Sequence, residues 1–144
     1  MVSGTSAGFG RRFAALLYDG VLLAALLVVF TSGAVFLNHR RAIEPATAGA
    51  WVYLYRAGLI AVIAGYYALN WTRSGQTLGM RAWHLRAVSA SGMPLGWRAA
   101  ALRLGVGALA WAPAALGVLW LYIDPDHLAL HDRLSKTRVV HLRP

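Results

Sequence analysis

Asp19 stands inside a stretch that otherwise reads as lipid-soluble. In RRFAALLYDGVLLAALLVVF, from Arg11 to Phe30, the chain is apolar from Phe13 onward apart from this carboxylate, and two arginines stand just upstream. A charge at the centre of a membrane helix costs about 2.5–3.5 kcal/mol on insertion scales, so it is retained where it is paired or where it works. Paired, Asp19 would meet Arg12 or Arg103 and fix helix register. Arg12 and Asp19 are seven residues apart and share a helix face. They are separated by about 10 Å along the axis, which makes a partner from another segment, Arg103 above all, easier to build. Working, Asp19 would bind a proton or a cation in a transport path.

A second constellation lies in the tail, DPDHLALHDRLSKT, from Asp124 to Thr137. Asp124 before Pro125 suits the start of a short helix. On that helix Asp124, His127 and His131 share a face that could hold a divalent metal through two imidazoles and a carboxylate. Histidines at this spacing also recur without a metal, and no HExxH glutamate accompanies them. Asp132 falls on another face, four residues before Lys136, the spacing of a helical ion pair unless the fold brings it to an arginine. The chain has no cysteine, and its serines lack a nucleophile-elbow context such as GxSxG. Neither an enzyme nor a cofactor is expected.

The elements that must position these groups are membrane helices. Of 144 residues 58% are hydrophobic and 13% charged, too little polar surface for a soluble globule. Charge-free runs extend over 18 residues from Gly20 to Leu37, 16 from Ala57 to Thr72 and 20 from Leu104 to Ile123. A span needs about 20 mostly apolar residues. The first run is longer than a signal-peptide core and Asp19 would interrupt one, so it reads as a span. The net charge of +9 could suggest nucleic acid, but the basic residues cluster at the ends of the apolar runs, as in cytoplasmic loops, with no basic stripe interleaved with stacking aromatics.

The expected architecture is an all-α integral membrane protein, residues 1–144 as one domain, with spans near 13–37, 51–71 and 99–123. Trp51, Tyr53 and Tyr55 at one end of the second span, and Tyr66, Tyr67 and Trp71 at the other, form interfacial belts. Ala57, Ala61 and Gly65 make a small-residue stripe suited to close helix packing. In the loop 72–98, Trp83, Leu85 and Ala87 alternate with His84, Arg86 and Val88, a short strand. GQTLGMR lacks the Lys-Ser/Thr ending of a phosphate loop, and its glycines are expected to stop span two and turn the chain. Pro113 divides the third apolar region, which is either a kinked span or a re-entrant hairpin. With the N-terminus cytoplasmic, a hairpin places ten basic residues inside against two outside, whereas a straight span gives six against six. The positive-inside tendency favours the hairpin and a cytoplasmic tail, 124–144.

Four ordered blocks resemble the RDD family of bacterial and archaeal membrane proteins, named for one arginine and two aspartates. They are RFAALLYD from Arg12 to Asp19; GQTLGMRAWHLRAVSASGMP; Arg103 in ALRLGVG; and LHDRLSKTRVV, which supplies Asp132. Met80 stands where a basic residue is common in the family, and Tyr18 where an aliphatic one is usual; neither replaces a named arginine or aspartate. The resemblance implies a multi-pass protein of the bacterial inner membrane, with Arg12, Asp19, Arg103 and Asp132 as a buried charge set. It also implies that TRVV pairs with LRAV as a small cytoplasmic β segment. Transport or cation–proton exchange has been proposed for some members. On that basis Asp19 is the expected protonatable site, its protonation set by Arg12 and Arg103, with Asp132 at a cytoplasmic gate. The alternative is an accessory subunit whose Arg/Asp set only stabilises the fold. Three or four short membrane segments enclose no path alone, so a homo-oligomer or a membrane partner is expected in the bilayer.

Overall fold

The computed structural model describes residues 5–39, 43, 49–89, 92–111, 132 and 134–142. Its elements in chain order are β1 (Thr5–Ser6), α1 (Phe9–Leu37), α2 (Trp51–Arg73), α3 (Leu78–Ala82), β2 (Leu85–Ser89), α4 (Trp97–Trp111) and β3 (Thr137–His141). The chain divides into two compact units: Met1–Asp19 with Tyr67–Pro144, and Gly20–Tyr66.

The second unit is made of the apolar lengths of α1 and α2. Both helices are long and apolar enough to cross a membrane, and little of either is covered by protein. Val21 is 73% exposed, Val29 71% and Ile60 68%, which distinguishes them from core helices of a soluble fold. The 29 residues of α1 reach about 44 Å, more than the roughly 30 Å of hydrocarbon. The 18 from Gly20 to Leu37 make about 27 Å by themselves. Asp19 therefore stands at the mouth of the charge-free length, away from the helix centre where the insertion penalty is greatest.

Within this unit Phe30 stacks on Tyr55 with centroids 6.1 Å apart, and Thr31 Oγ1 lies 3.0 Å from the Tyr55 hydroxyl. The close approach is made at Gly58, where an added Cβ would collide with the Phe30 ring. The stripe is not what makes this contact: Ala57 and Ala61 are exposed, and a Cβ on Gly65 would meet nothing of this chain within 4 Å.

The first unit is built on a three-stranded antiparallel sheet in the order β1-β3-β2. Arg86 faces Val140 and Val88 faces Arg138, and both longer strands bury their first, third and fourth residues. Leu85, Ala87 and Val139 join Ala15 of α1, Trp71 of α2, Met80 of α3 and Ala100 of α4 in one core. The described elements are thus mainly helical, and the sheet belongs to this first unit. Asp124, His127, His131 and the part of the third apolar region that would decide between a span and a hairpin, residues 112–123, lie outside the described residues.

Candidate functional site: two buried carboxylates

The turn that ends α2 begins the site. Gly75 adopts φ +71°, a left-handed conformation, and its N–H bonds the Trp71 carbonyl at 3.1 Å, closing the helix as glycine commonly does. The same residue accepts from the Ala87 N–H at 2.8 Å, and a Cβ there would sit 2.9 Å from the Ala87 oxygen. Gln76 Nε2 donates to Leu85 O at 2.7 Å. Together these contacts tie the turn to β2 and aim Thr77 inward.

Thr77 caps α3 from an extended conformation, its Oγ1 accepting from the Met80 N–H at 3.1 Å. The same hydroxyl donates to Asp19 Oδ2 at 2.5 Å, and Gly79 N donates to Asp19 Oδ1 at 2.9 Å. A carboxylate on α1 thereby completes the first turn of α3, where helix N–H groups lack internal partners. Asp19 is 2% exposed and Thr77 fully buried. Gly79 turns nothing: a Cβ there would collide with the Ala15 carbonyl oxygen, so its glycine lets α3 lie directly on the backbone of α1.

Asp132 forms the second group and is fully buried. Arg12 Nη1 bonds its Oδ2, and Arg103 Nη1 bonds its Oδ1 at 2.5 Å. Arg12 also reaches the Ala7 carbonyl at 2.9 Å and, through Nη2, the Val139 carbonyl at 3.4 Å. Arg103 donates to Thr137 Oγ1 at 2.5 Å, lies 5.0 Å from the Trp71 ring centroid, and is 4% exposed. Thr137 and Ser135 hydroxyls are 2.7 Å apart. One carboxylate thus joins α1 and α4, whose arginines are 120 and 29 residues away from it, to the approach to β3.

Sequence spacing points elsewhere. It suggests Arg12 or Arg103 for Asp19, whereas both guanidiniums bond Asp132, and a hydroxyl and an amide hold Asp19. It suggests Lys136 for Asp132, but Ser135 and Lys136 form a turn, and Lys136, at φ 51°, is exposed. The i,i+4 geometry is lost where the helix stops. Spacing gives no sign of Thr77 or Thr137 and offers Gly79 only as a turn. A threonine just before LGMR is a helix-cap signal that could have found the first. Among the described residues no three His, Asp or Glu side chains gather to hold a metal.

A family model described as the RDD family matches residues 6–136. The chain belongs to the RDD family. All the groups of both carboxylate sites except Thr137 and Val139 fall within the matched length, and two long apolar helices fit an RDD membrane protein. No curated protein and no solved structure matches the chain.

Proposed function

We propose that this RDD protein is a multi-pass, non-enzymatic protein of the bacterial cytoplasmic membrane that serves as a structural or accessory subunit. In this reading the Arg/Asp set joins the sheet to the membrane helices. The carrying observation is that Asp132 is fully buried and engaged by Arg12 and Arg103 at once, with Arg103 also bonded to Thr137. A gate must open, and opening this one would strand buried guanidiniums, a change on the order of 3–5 kcal/mol. The subunit works in the bilayer as a homo-oligomer or beside a membrane partner.

The strand order supports the hairpin for 99–123. β1 precedes α1, β2 follows α2, and β3 follows the third apolar region, yet all three strands belong to one sheet. Strands of one sheet lie on one side of a membrane, which favours a chain that returns between β2 and β3 to the side where it started. The positive-inside tendency favours the cytoplasm as that side. Because the chain has no cysteine, single-cysteine labelling tests this directly. Arg81→Cys and Lys136→Cys should label from the same face of inside-out vesicles and Ala46→Cys from the opposite one. Labelling of Lys136→Cys with Ala46→Cys would overturn the hairpin.

A second reading is cation–proton exchange at Asp19. It is favoured by two donors to this carboxylate, a hydroxyl and an amide, neither of which carries a formal charge. Proteoliposomes with a trapped pH dye, pulsed with sodium, potassium or lithium, separate the two. The subunit reading expects no cation-driven proton flux from folded wild type. Flux that disappears in folded Asp19→Asn would replace it with the exchanger.

A further inference from the structure

Both described carboxylates are buried, Asp19 at 2% and Asp132 at 0% exposure. The described surface of the sheet-bearing unit consequently carries charge of one sign. Arg11, Arg73, Arg81, Arg98 and Lys136 are exposed, with no exposed carboxylate among the described residues. Exposed tryptophan accompanies this charge in two places. Arg81, Ala82, Trp83 and His84 are a continuous exposed run from the end of α3 to the start of β2, with Trp83 at 43% and Leu78, the first residue of α3, at 46%. Trp97, at 61%, and Arg98 open α4 just after Met93, at 58%.

We propose that this unit docks on anionic phospholipid headgroups through two Trp–Arg tips, Arg81 with Trp83 and Trp97 with Arg98. The charge is complementary to a leaflet rich in anionic lipid, which attracts basic segments beside a membrane span. Tryptophan adds what a purely electrostatic partner would not use: its amphipathic ring settles at headgroup level. Exposed Leu78 and Met93 fit the boundary between headgroup and acyl chain and would find nothing apolar on a phosphate backbone. The inference needs only the family's membrane setting and holds for either reading of Asp19.

The test uses the full chain in phosphatidylcholine vesicles, comparing quenching of its tryptophans by brominated phosphatidylglycerol and brominated phosphatidylcholine. One basic side chain at an anionic surface is worth up to about fivefold in lipid preference at low salt. Wild type should prefer phosphatidylglycerol several-fold. Arg81→Gln/Arg98→Gln should bring the ratio near one, Arg81→Lys/Arg98→Lys should retain the preference, and Trp83→Phe/Trp97→Phe should remove part of the quenched signal. All four side chains are exposed, so these variants leave the core unaltered. Equal quenching by the two lipids in wild type would overturn the proposal. So would a preference that survives Arg81→Gln/Arg98→Gln, or an oligonucleotide bound through the same arginines while lipid preference is absent.

Discussion

Asp132 and Asp19 are both hidden from solvent in the same unit, yet they are stabilised by different physics. Asp132 is compensated by formal charge: two arginines from distant segments bond its two oxygens. Asp19 accepts from dipoles, a threonine hydroxyl and the N–H of a glycine in the first turn of α3. A buried ion group with two cations cannot lose its anion without leaving like charges facing each other at low dielectric. A hydroxyl and an amide, by contrast, are left with no charge of their own when the carboxylate they bond is neutralised. The first arrangement fixes which segments meet. The second fixes how closely one short helix lies on a long one.

Asp132→Asn should therefore be the most damaging of the substitutions considered. Removing one partner from a buried ion group costs about 3–5 kcal/mol, enough that yield and thermal stability in detergent should collapse. Adding Arg103→Gln should recover part of the loss, because it removes a stranded guanidinium; a double variant as unstable as the sum of the singles would break the charge-pair account.

Gly79→Ala comes next. The new Cβ would meet backbone, the Ala15 oxygen, and backbone cannot swing aside as a side chain can. Overpacking of this kind costs about 1–3 kcal/mol, and Gly79→Val should be worse. A melting temperature unchanged in Gly79→Ala would mean that α3 does not rest on α1.

Much of this is legible in the sequence, and the part that is not has a common cause. Apolar runs locate α1 and α2, because span length follows from rise per residue and bilayer thickness. Alternation in WHLRAV locates β2. Apolar context makes Asp19 and Arg103 conspicuous, and the resemblance to the RDD family adds Arg12 and Asp132 to make a set. Their pairing is not, because helical spacing relates residues a few positions apart, whereas Arg12 reaches Asp132 across 120 residues. The two-residue β1 is too short to carry a period and exists only because β3 offers it an edge. Gly79 reads as a turn residue because sequence shows that a side chain is missing but not what takes its place.

Asp19→Asn and Thr77→Val sharpen the comparison at lower cost. The amide that Asp19→Asn introduces would still accept one hydrogen bond but would turn N–H groups toward another donor, so about 1–3 kcal/mol should be lost. Thr77→Val removes the cap of α3 and one donor to Asp19, about 1–2 kcal/mol. The two are links in one chain of hydrogen bonds, so the double variant should be less unstable than the sum. Additive effects, measured as melting temperatures in matched detergent, would break that chain.

The smallest effect is expected between α1 and α2, where the Thr31–Tyr55 contact is a half-buried polar interaction that carries no charge. In lipid a hydrogen bond between helices is worth about 0.6 kcal/mol on average, because unpaired polar groups there find substitutes within their own helices. Ser32 illustrates such a substitute in the same unit, donating to the Val28 carbonyl at 2.8 Å. Thr31 could make the same bond one turn back once the Tyr55 hydroxyl is gone, so Tyr55→Phe should lower stability by only that small amount, near the limit of a detergent melt. The stacked ring on Phe30 is untouched by the substitution and keeps the helices in register. Tyr55→Ala removes the ring as well and opens space against Phe30, so it should cost several times more. Should Tyr55→Phe instead rival Asp19→Asn, hydrogen bonding between α1 and α2 would be as indispensable as at the buried carboxylates, and the division between a polar unit held by directed bonds and an apolar one held by packing would have to be abandoned.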